Sequence, residues 1–251
     1  MANFDLTGRT ALVTGATSGL GRHFAGVLAA AGASVALSGR RAARLEEVRQ
    51  KIASAGGQCT AVVLDVNDDT RIARAFDEAE AALGPIDILV NNAGMNLPGL
   101  VLERSIDEFD AVLKTDLRAP LVVAREAGRR MIARAKGGRI INIGSIGSMR
   151  ALPGLTAYCI AKAGIAMMTR CLALEWARYE INVNAICPGY IETELNSEWF
   201  ATDGGRKQIS SFPKRRLQSP GDLDGTLLLL ASDQSRAITG AIMTVDDAQS
   251  L

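Results

Sequence analysis

The sequence predicts an α/β protein built on a doubly wound parallel sheet of about seven strands, with helices on both faces. Three observations point there. Short apolar runs rich in β-branched residues alternate with longer helical patterns along the chain. The runs are apolar on both faces, as strands covered on both sides must be. Finally, 251 residues, 48% of them hydrophobic, suit one large α/β domain better than two small ones. Strand–helix alternation of this kind implies right-handed crossovers and a parallel sheet.

The first strand, TALVT (10–14), runs into a glycine-rich turn and a helix near 19–31. SVALSG (34–39) and TAVVLDV (60–66) follow as strands, each leading into a helix, near 41–55 and 69–83. IDILVNN (86–92) precedes a long helical pattern near 107–135, and RIINIGS (139–145) precedes another near 156–178. INVNAI (181–186) and AIMTV (241–245) complete the strands, with a helix near 221–231 after Pro220. No internal repeat, low-complexity tract or interdomain linker interrupts the series, so residues 1–251 read as a single domain. The least regular stretch, 189–218, mixes Gly, Ser, Pro and both charges. It is too long for an ordinary connector and is expected to be a substrate lid or a disordered segment.

The net charge of +1 gives no general pull on nucleic acid or an anionic membrane. No run approaches the roughly 18 uninterrupted apolar residues of a membrane span, and MANFDLTGRT lacks the regions of a signal peptide. Cys59, Cys159, Cys171 and Cys187 show no paired metal spacing, and with one histidine no metal site is expected. Buried, reduced thiols in a cytoplasmic protein are the reading.

The turn after the first strand, TGATSGLGRHF, places Gly15, Gly19 and Gly21 where a strand must bend sharply into a helix. Glycine permits positive φ and lets backbone approach a pyrophosphate seated at the helix N-terminus. Glycines also serve ordinary turns, but this position marks a Rossmann-type dinucleotide site. A second signal lies in TAYCIAKAGIAM (156–167), where Tyr158 and Lys162, four residues apart, share one helix face. Alone, that pair reads as a surface lysine lying over a ring.

Together these motifs resemble the short-chain dehydrogenase/reductase family across essentially the whole chain. The resemblance rests on T-G-x-x-x-G-x-G (14–21), NNAG (91–94), Y-x-x-x-K (158–162) and Ser145, 13 residues before the tyrosine. The PG of Pro188 and Gly189, ETE around Thr193, and LLLLASDQSRAITG (227–240) continue it in order. It implies that Tyr158 is the acid in carbonyl reduction and the base in alcohol oxidation, that Lys162 tunes it and holds the nicotinamide ribose, and that Ser145 orients the substrate oxygen. A tyrosine's ordinary pKa, roughly 10, is too high for easy exchange both ways, and a neighbouring ammonium favours the phenolate. The resemblance also assigns Thr17, Ser18 and Leu20 with the three glycines, Asp65 and Val66, Asn92, Ala93 and Gly94, and Pro188, Gly189, Ile191 and Thr193 to the cofactor.

An NAD-selective enzyme usually carries a carboxylate at the end of the second strand. This chain has SGRR there, so Arg40, with Arg41 beside it and Ser18 or Thr17 adding a hydroxyl, is expected to hold a 2′-phosphate. NADP(H) is therefore expected over NAD(H). Two departures from the family stand out. Asp116, in LKTDLRAP, occupies the place of an asparagine thought to hold a water beside the lysine, and is counted with the catalytic group. The end of the chain reads VDDAQSL where the family often has aspartate and two glycines.

The substrate is expected to be a small ketone or secondary alcohol, as in 3-oxoacyl thioester reductases or ketone and sugar-alcohol dehydrogenases. Met95, Asn96, Ser148, Met149, Leu152, Cys159 and 190–200 are the expected pocket lining, suiting a mainly apolar ligand, with Arg150 as one possible anion handle. An NAD-dependent polyol dehydrogenase and a catalytically retired NADP sensor are the alternatives. Enoyl reduction fits less well, because such relatives space tyrosine and lysine more widely. The apolar circumference of the 156–178 helix, with the resemblance, implies a homotetramer or homodimer.

Overall fold

The computed structural model describes residues 4–192 and 197–251. Seven parallel strands form one sheet in the order β3-β2-β1-β4-β5-β6-β7. They are β1 Thr10–Thr14, β2 Ser34–Gly39, β3 Cys59–Val63, β4 Ile88–Asn91, β5 Gly138–Ile143, β6 Ile181–Pro188 and β7 Ile242–Val245. Every expected strand is present, with ends shifted by up to three residues. Alternate residues of β1 point to opposite faces, as the pleat requires. Ala11 and Val13 join Phe24, Leu28, Leu37 and Leu227 on one side, while Leu12 meets Phe76, Leu89, Val123 and Ile140 on the other.

The first layer of helices contains α1 (Gly19–Ala30), α2 (Ala42–Ser54) and, numbered in chain order, α9 (Asp224–Ala231); the second contains α3 (Asp69–Leu83), α4 (Ile106–Leu113), α5 (Ala119–Arg134) and α6 (Thr156–Trp176). Local signals set their starts. Asp68 accepts a hydrogen bond from Thr70 N before α3, and Ser105 with Glu108 forms a capping box before α4. The helix expected over 107–135 is not uniform. A π-helical turn, Lys114–Arg118, separates α4 from α5, and Pro120 sits in the first turn of α5. Such turns recur at functional sites, and this one carries Asp116.

The stretch 189–218 also departs from expectation. Its described part holds two short helices, α7 (Ser197–Phe200) and α8 (Asp203–Ser211), and an isolated bridge from Ile191 to Gln218. Thr202 caps α8 by accepting from Gly205 N, a helix start that the glycines obscure in the sequence. Of the cysteines only Cys187 is buried; Cys59 and Cys159 are half-buried and Cys171 is exposed. By length and composition α6 could cross a membrane, but Ala161, Ile165, Thr169, Leu172 and Ala173 bury one side of it within the protein.

Strand order reverses between β1 and β4, and parallel α/β sheets hold ligands at the carboxyl ends beside such a reversal. Gly21 permits the close approach of chain there. A Cβ on it would lie 2.3 Å from Gly15 O and 2.4 Å from Asn92 Nδ2. Gly21→Ala is therefore expected to cost about 1–3 kcal/mol, lowering the thermal midpoint by several degrees. Gly26→Ala, in the same helix with nothing within 4 Å of its Cβ, should leave the midpoint unchanged or raise it. Paired melting curves check both.

Candidate active site

The glycine turn is tied to the end of β4. Thr14 Oγ1 accepts from Asn92 N at 2.9 Å and Ala93 N at 3.0 Å, and donates to Val90 O at 3.3 Å. Asn92 Nδ2 returns a bond to Thr14 O at 2.9 Å. Gly15 and Gly19 adopt φ of +68° and +50°, and a Cβ on Gly15 would come within 2.9 Å of Ala93 Cα. Ser18, with extended backbone, precedes α1, so the free N–H groups of the helix face the turn. Leu20 packs against the core behind it. This is a glycine cradle that a side chain would fill, and it fits the pyrophosphate of a dinucleotide.

At the end of β2 the arginines separate. Arg41 Nη2 donates to Thr17 Oγ1 and to Ser18 Oγ, each at 2.8 Å. Arg40, named first from the sequence, is exposed and makes no hydrogen bond or ion pair among the described residues. Arg41 is thus the cation held against the turn. The Asp65 carboxylate accepts from Asn67 N at 3.0 Å, Val66 is buried, and Gly94 lies against Asp116, 3.0 Å from where its Cβ would sit.

Ser145 follows β5, caps the short turn Ile146–Ser148 and accepts from Gly147 N at 3.0 Å, so its hydroxyl proton remains to be donated. Lys162 is buried below it. Its Nζ donates to Ile143 O at 3.1 Å, stands 3.3 Å from Asp116 Oδ2 and lies 5.4 Å from the centre of the Tyr158 ring. The Lys162 and Asp116 side chains are 7% and 1% exposed. Asp116 Oδ1 accepts from Met95 N at 2.7 Å. Its Oδ2 faces the ammonium as an ion pair, without the alignment of a full hydrogen bond.

Burial opposes the ammonium of Lys162, but Asp116 and then Tyr158 outweigh that cost and the lysine holds its proton above the ordinary range. Burial pushes the Asp116 carboxyl up, against the pull of Lys162 and of Met95 N–H. Ser148, named for the pocket lining from the sequence, braces the serine turn. Its Oγ accepts from Ser145 N at 3.3 Å and donates to Lys162 O at 2.9 Å, locking the serine turn to α6. Cys187 lies 3.7 Å from that hydroxyl, and burial pushes its thiol up.

On the far side, Gly189 N donates to Val245 O at 3.2 Å and Gln218 Oε1 at 3.1 Å, immediately after Pro188 ends β6. Tyr190 N donates to Gln249 Oε1 at 2.7 Å, and the Tyr190 ring stacks on Phe212 at 5.3 Å. Ile191 bridges to Gln218, and Thr193 lies outside the described residues. Gln218 and Gln249 have no motif around them that would mark them in the sequence. Among the described residues no cluster of His, Cys, Asp or Glu could hold a metal ion.

A strand-order reversal with a glycine cradle, a serine after β5, and a tyrosine and buried lysine on α6 define an NAD(P)-dependent oxidoreductase. A family model described as "Enoyl-(Acyl carrier protein) reductase" matches residues 15–247, and the chain belongs to the short-chain dehydrogenase/reductase family. It is 38% identical over 255 residues to oxidoreductase UcpA of Escherichia coli (strain K12), covering 98% of this chain and 96% of that protein. It is 33% identical over 244 residues to gluconate 5-dehydrogenase of Gluconobacter oxydans (strain 621H), covering 97% and 95%. A gluconate 5-dehydrogenase from Burkholderia cenocepacia J2315, solved in complex with NADP and tartrate, superposes with a TM-score of 0.94 at 34% identity, over 99% of this chain and 97% of that one.

The raised Lys162 sets a pH expectation. A group that binds its proton more tightly in the fold stabilises it at neutral pH, and that stabilisation is lost as pH rises through the folded value. Asp116→Asn keeps an acceptor for Met95 N but removes the charge opposing desolvation, so burial then drives Lys162 downward. The alkaline loss of carbonyl reduction should move to lower pH in Asp116→Asn. Rate–pH profiles of both proteins with one ketone check this; an unchanged or upward-shifted limb rules it out.

Proposed function

We propose that the protein interconverts a ketone and a secondary alcohol with NADP(H), using Tyr158 as general acid and base. The observation that carries this reading is the buried Lys162 ammonium between Asp116 and the Tyr158 ring. The nicotinamide, when bound, supplies or accepts the hydride. The reduced oxygen then needs a proton, which the Tyr158 hydroxyl gives in reduction and takes back in oxidation. The Ser145 hydroxyl, whose oxygen is already engaged by Gly147 N, donates to the same substrate oxygen and orients it. Of the three ammonium protons of Lys162, one is donated to Ile143 O while Asp116 pairs with the charge; a remaining proton serves the ribose.

In the same reading Arg41, with Thr17 and Ser18, holds the 2′-phosphate, and Arg40 adds charge from outside. Asp65 and Val66 border the adenine, and Asn92, Ala93 and Gly94 border the adenosine. Pro188, Gly189 and Ile191 border the nicotinamide end. Relatives named as gluconate dehydrogenases favour a polyhydroxy acid over the mainly apolar ligand expected from Met95 and Leu152. Self-association is part of the proposal. Ile160, Met167 and Leu174 recur at seven-residue steps on the exposed side of α6, with Leu174 84% exposed and Leu121 of α5 also open. Two copies would cover such a stripe.

Two outcomes test the reading. Tyr158→Phe should lower turnover by roughly 10²–10⁴-fold while NADPH binding, followed by cofactor fluorescence, stays within a fewfold. A variant as active as the parent would mean that another group supplies the proton. Arg41→Ala should raise the KM for NADPH about ten- to a hundredfold, the size expected for losing a hydrogen bond to a charged group. The KM for NADH should hardly move, and Arg40→Ala should have the smaller effect of the two. An enzyme that binds NADPH yet turns over no ketone or alcohol would instead be a sensor.

A further inference from the structure

Arg150 is a cation beside the site that none of these roles uses. It follows the Ser145 turn, where its N donates to Ile146 O at 2.9 Å. Its carbonyl accepts from Cys159 Sγ at 3.9 Å, one residue beyond Tyr158. The side chain reaches towards the end of the protein, and Nη1 donates to Gln249 O. Gln249 in turn receives Tyr190 N at Oε1. Arg150, the tail and Tyr190 therefore form one connected rim beyond β6 and β7. Arg150 thus joins α6 at Cys159, the residue after Tyr158, to the tail that holds Tyr190.

Donors outnumber acceptors along this rim. A guanidinium carries five N–H donors, and among the described residues Arg150 spends one on Gln249 O and pairs with no carboxylate. Gln249 is 3% exposed, and its Nε2 has no acceptor among the described residues. A buried donor left unpaired is costly, and a charged fork with its outer edge free suits a planar two-oxygen anion. Neighbouring cations are already matched: Lys214 and Arg216 both bind Asp247, at 2.7 Å each.

Resting on the oxidoreductase reading above, we propose that Arg150 binds the carboxylate of the substrate and that the tail residue Gln249 positions it, so the preferred substrate is a hydroxy or keto acid. A carboxylate held there, beyond the Ser145 turn from Tyr158, leaves the far carbons of the acid to reach the reacting position. Tyr190, fixed through Gln249, shapes the space between.

The test compares D-gluconate with sorbitol, a neutral polyol of the same chain length, and measures tartrate and D-gluconate binding to the protein–NADP complex by calorimetry. Arg150→Ala should raise the KM and Kd for the acids about ten- to a hundredfold and leave sorbitol unchanged. Arg150→Lys, which keeps the charge but not the fork, should recover part of the loss. Because Arg150→Ala also frees the tail carbonyl, a thermal midpoint is recorded for each variant, and the acid-to-neutral ratio is the deciding readout. Equal loss for acid and neutral ligands would make Arg150 a tail anchor only and overturn the proposal. Turnover of neutral ligands with no preference for acids would overturn it while leaving the oxidoreductase reading intact. Arginine-dependent acid binding without any turnover would uphold the carboxylate subsite and remove the oxidoreductase reading.

Discussion

A lysine ammonium buried beneath the ends of β5 and β6 must be neutralised inside the protein, and the site is organised around that requirement. Burial alone can move a lysine's pKa down by several units. Here the compensation comes from three directions: the Ile143 carbonyl at the end of β5, the Asp116 carboxylate in the π-turn, and the π face of Tyr158 one helical turn away. Asp116 is itself tied to Met95 N, just past the NNAG segment. One ion pair therefore links the ends of β4 and β5, the α4–α5 junction and α6. Where the family commonly has a neutral asparagine, this chain has a charge, and the charge faces the lysine directly.

A second joint, between β1 and β4, holds the glycine turn. Parallel strands whose order reverses leave a gap between their following loops. Thr14 and Asn92 close that gap from below with four hydrogen bonds of 2.9–3.3 Å. The glycine turn is thereby held against residues 92–93 at separations that exclude a Cβ at Gly15 or Gly21. Ser148 plays a similar part between the serine turn and α6. These braces are short polar side chains spent on backbone.

The tail shows how a departure from the family pattern is tolerated. Asp247 and Ala248 adopt φ of +54° and +65°, where two glycines often stand. That conformation costs an L-residue roughly 1 kcal/mol or more. Asp247 offsets its share through Lys214 and Arg216, its side chain only 9% exposed, while Asp246 caps the turn by accepting from Ala248 N and Ser250 N. The tail thus keeps its bend without glycine and ties the segment around 214–218 to the end of β7.

The sequence by itself determined the strand–helix series and the glycine turn, and named Ser145, Tyr158 and Lys162 as candidates. These depend on local regularities: apolar period, the φ freedom of glycine, and a four-residue step that puts two side chains on one helix face. Its errors were equally local. The π-turn at Lys114–Arg118 and the helices within 189–218 lie where tertiary contacts override a periodic pattern or glycines mask a start. Arg40 was expected ahead of Arg41, but a one-residue change in direction decides which one meets Thr17 and Ser18, and it is Arg41. Only tertiary structure paired Asp116 with Lys162, 46 residues away, or brought Gln249 to Tyr190 and Arg150. Such pairs carry no spacing signal, since their distance is set by how the crossovers stack the strand ends and not by any repeat along the chain.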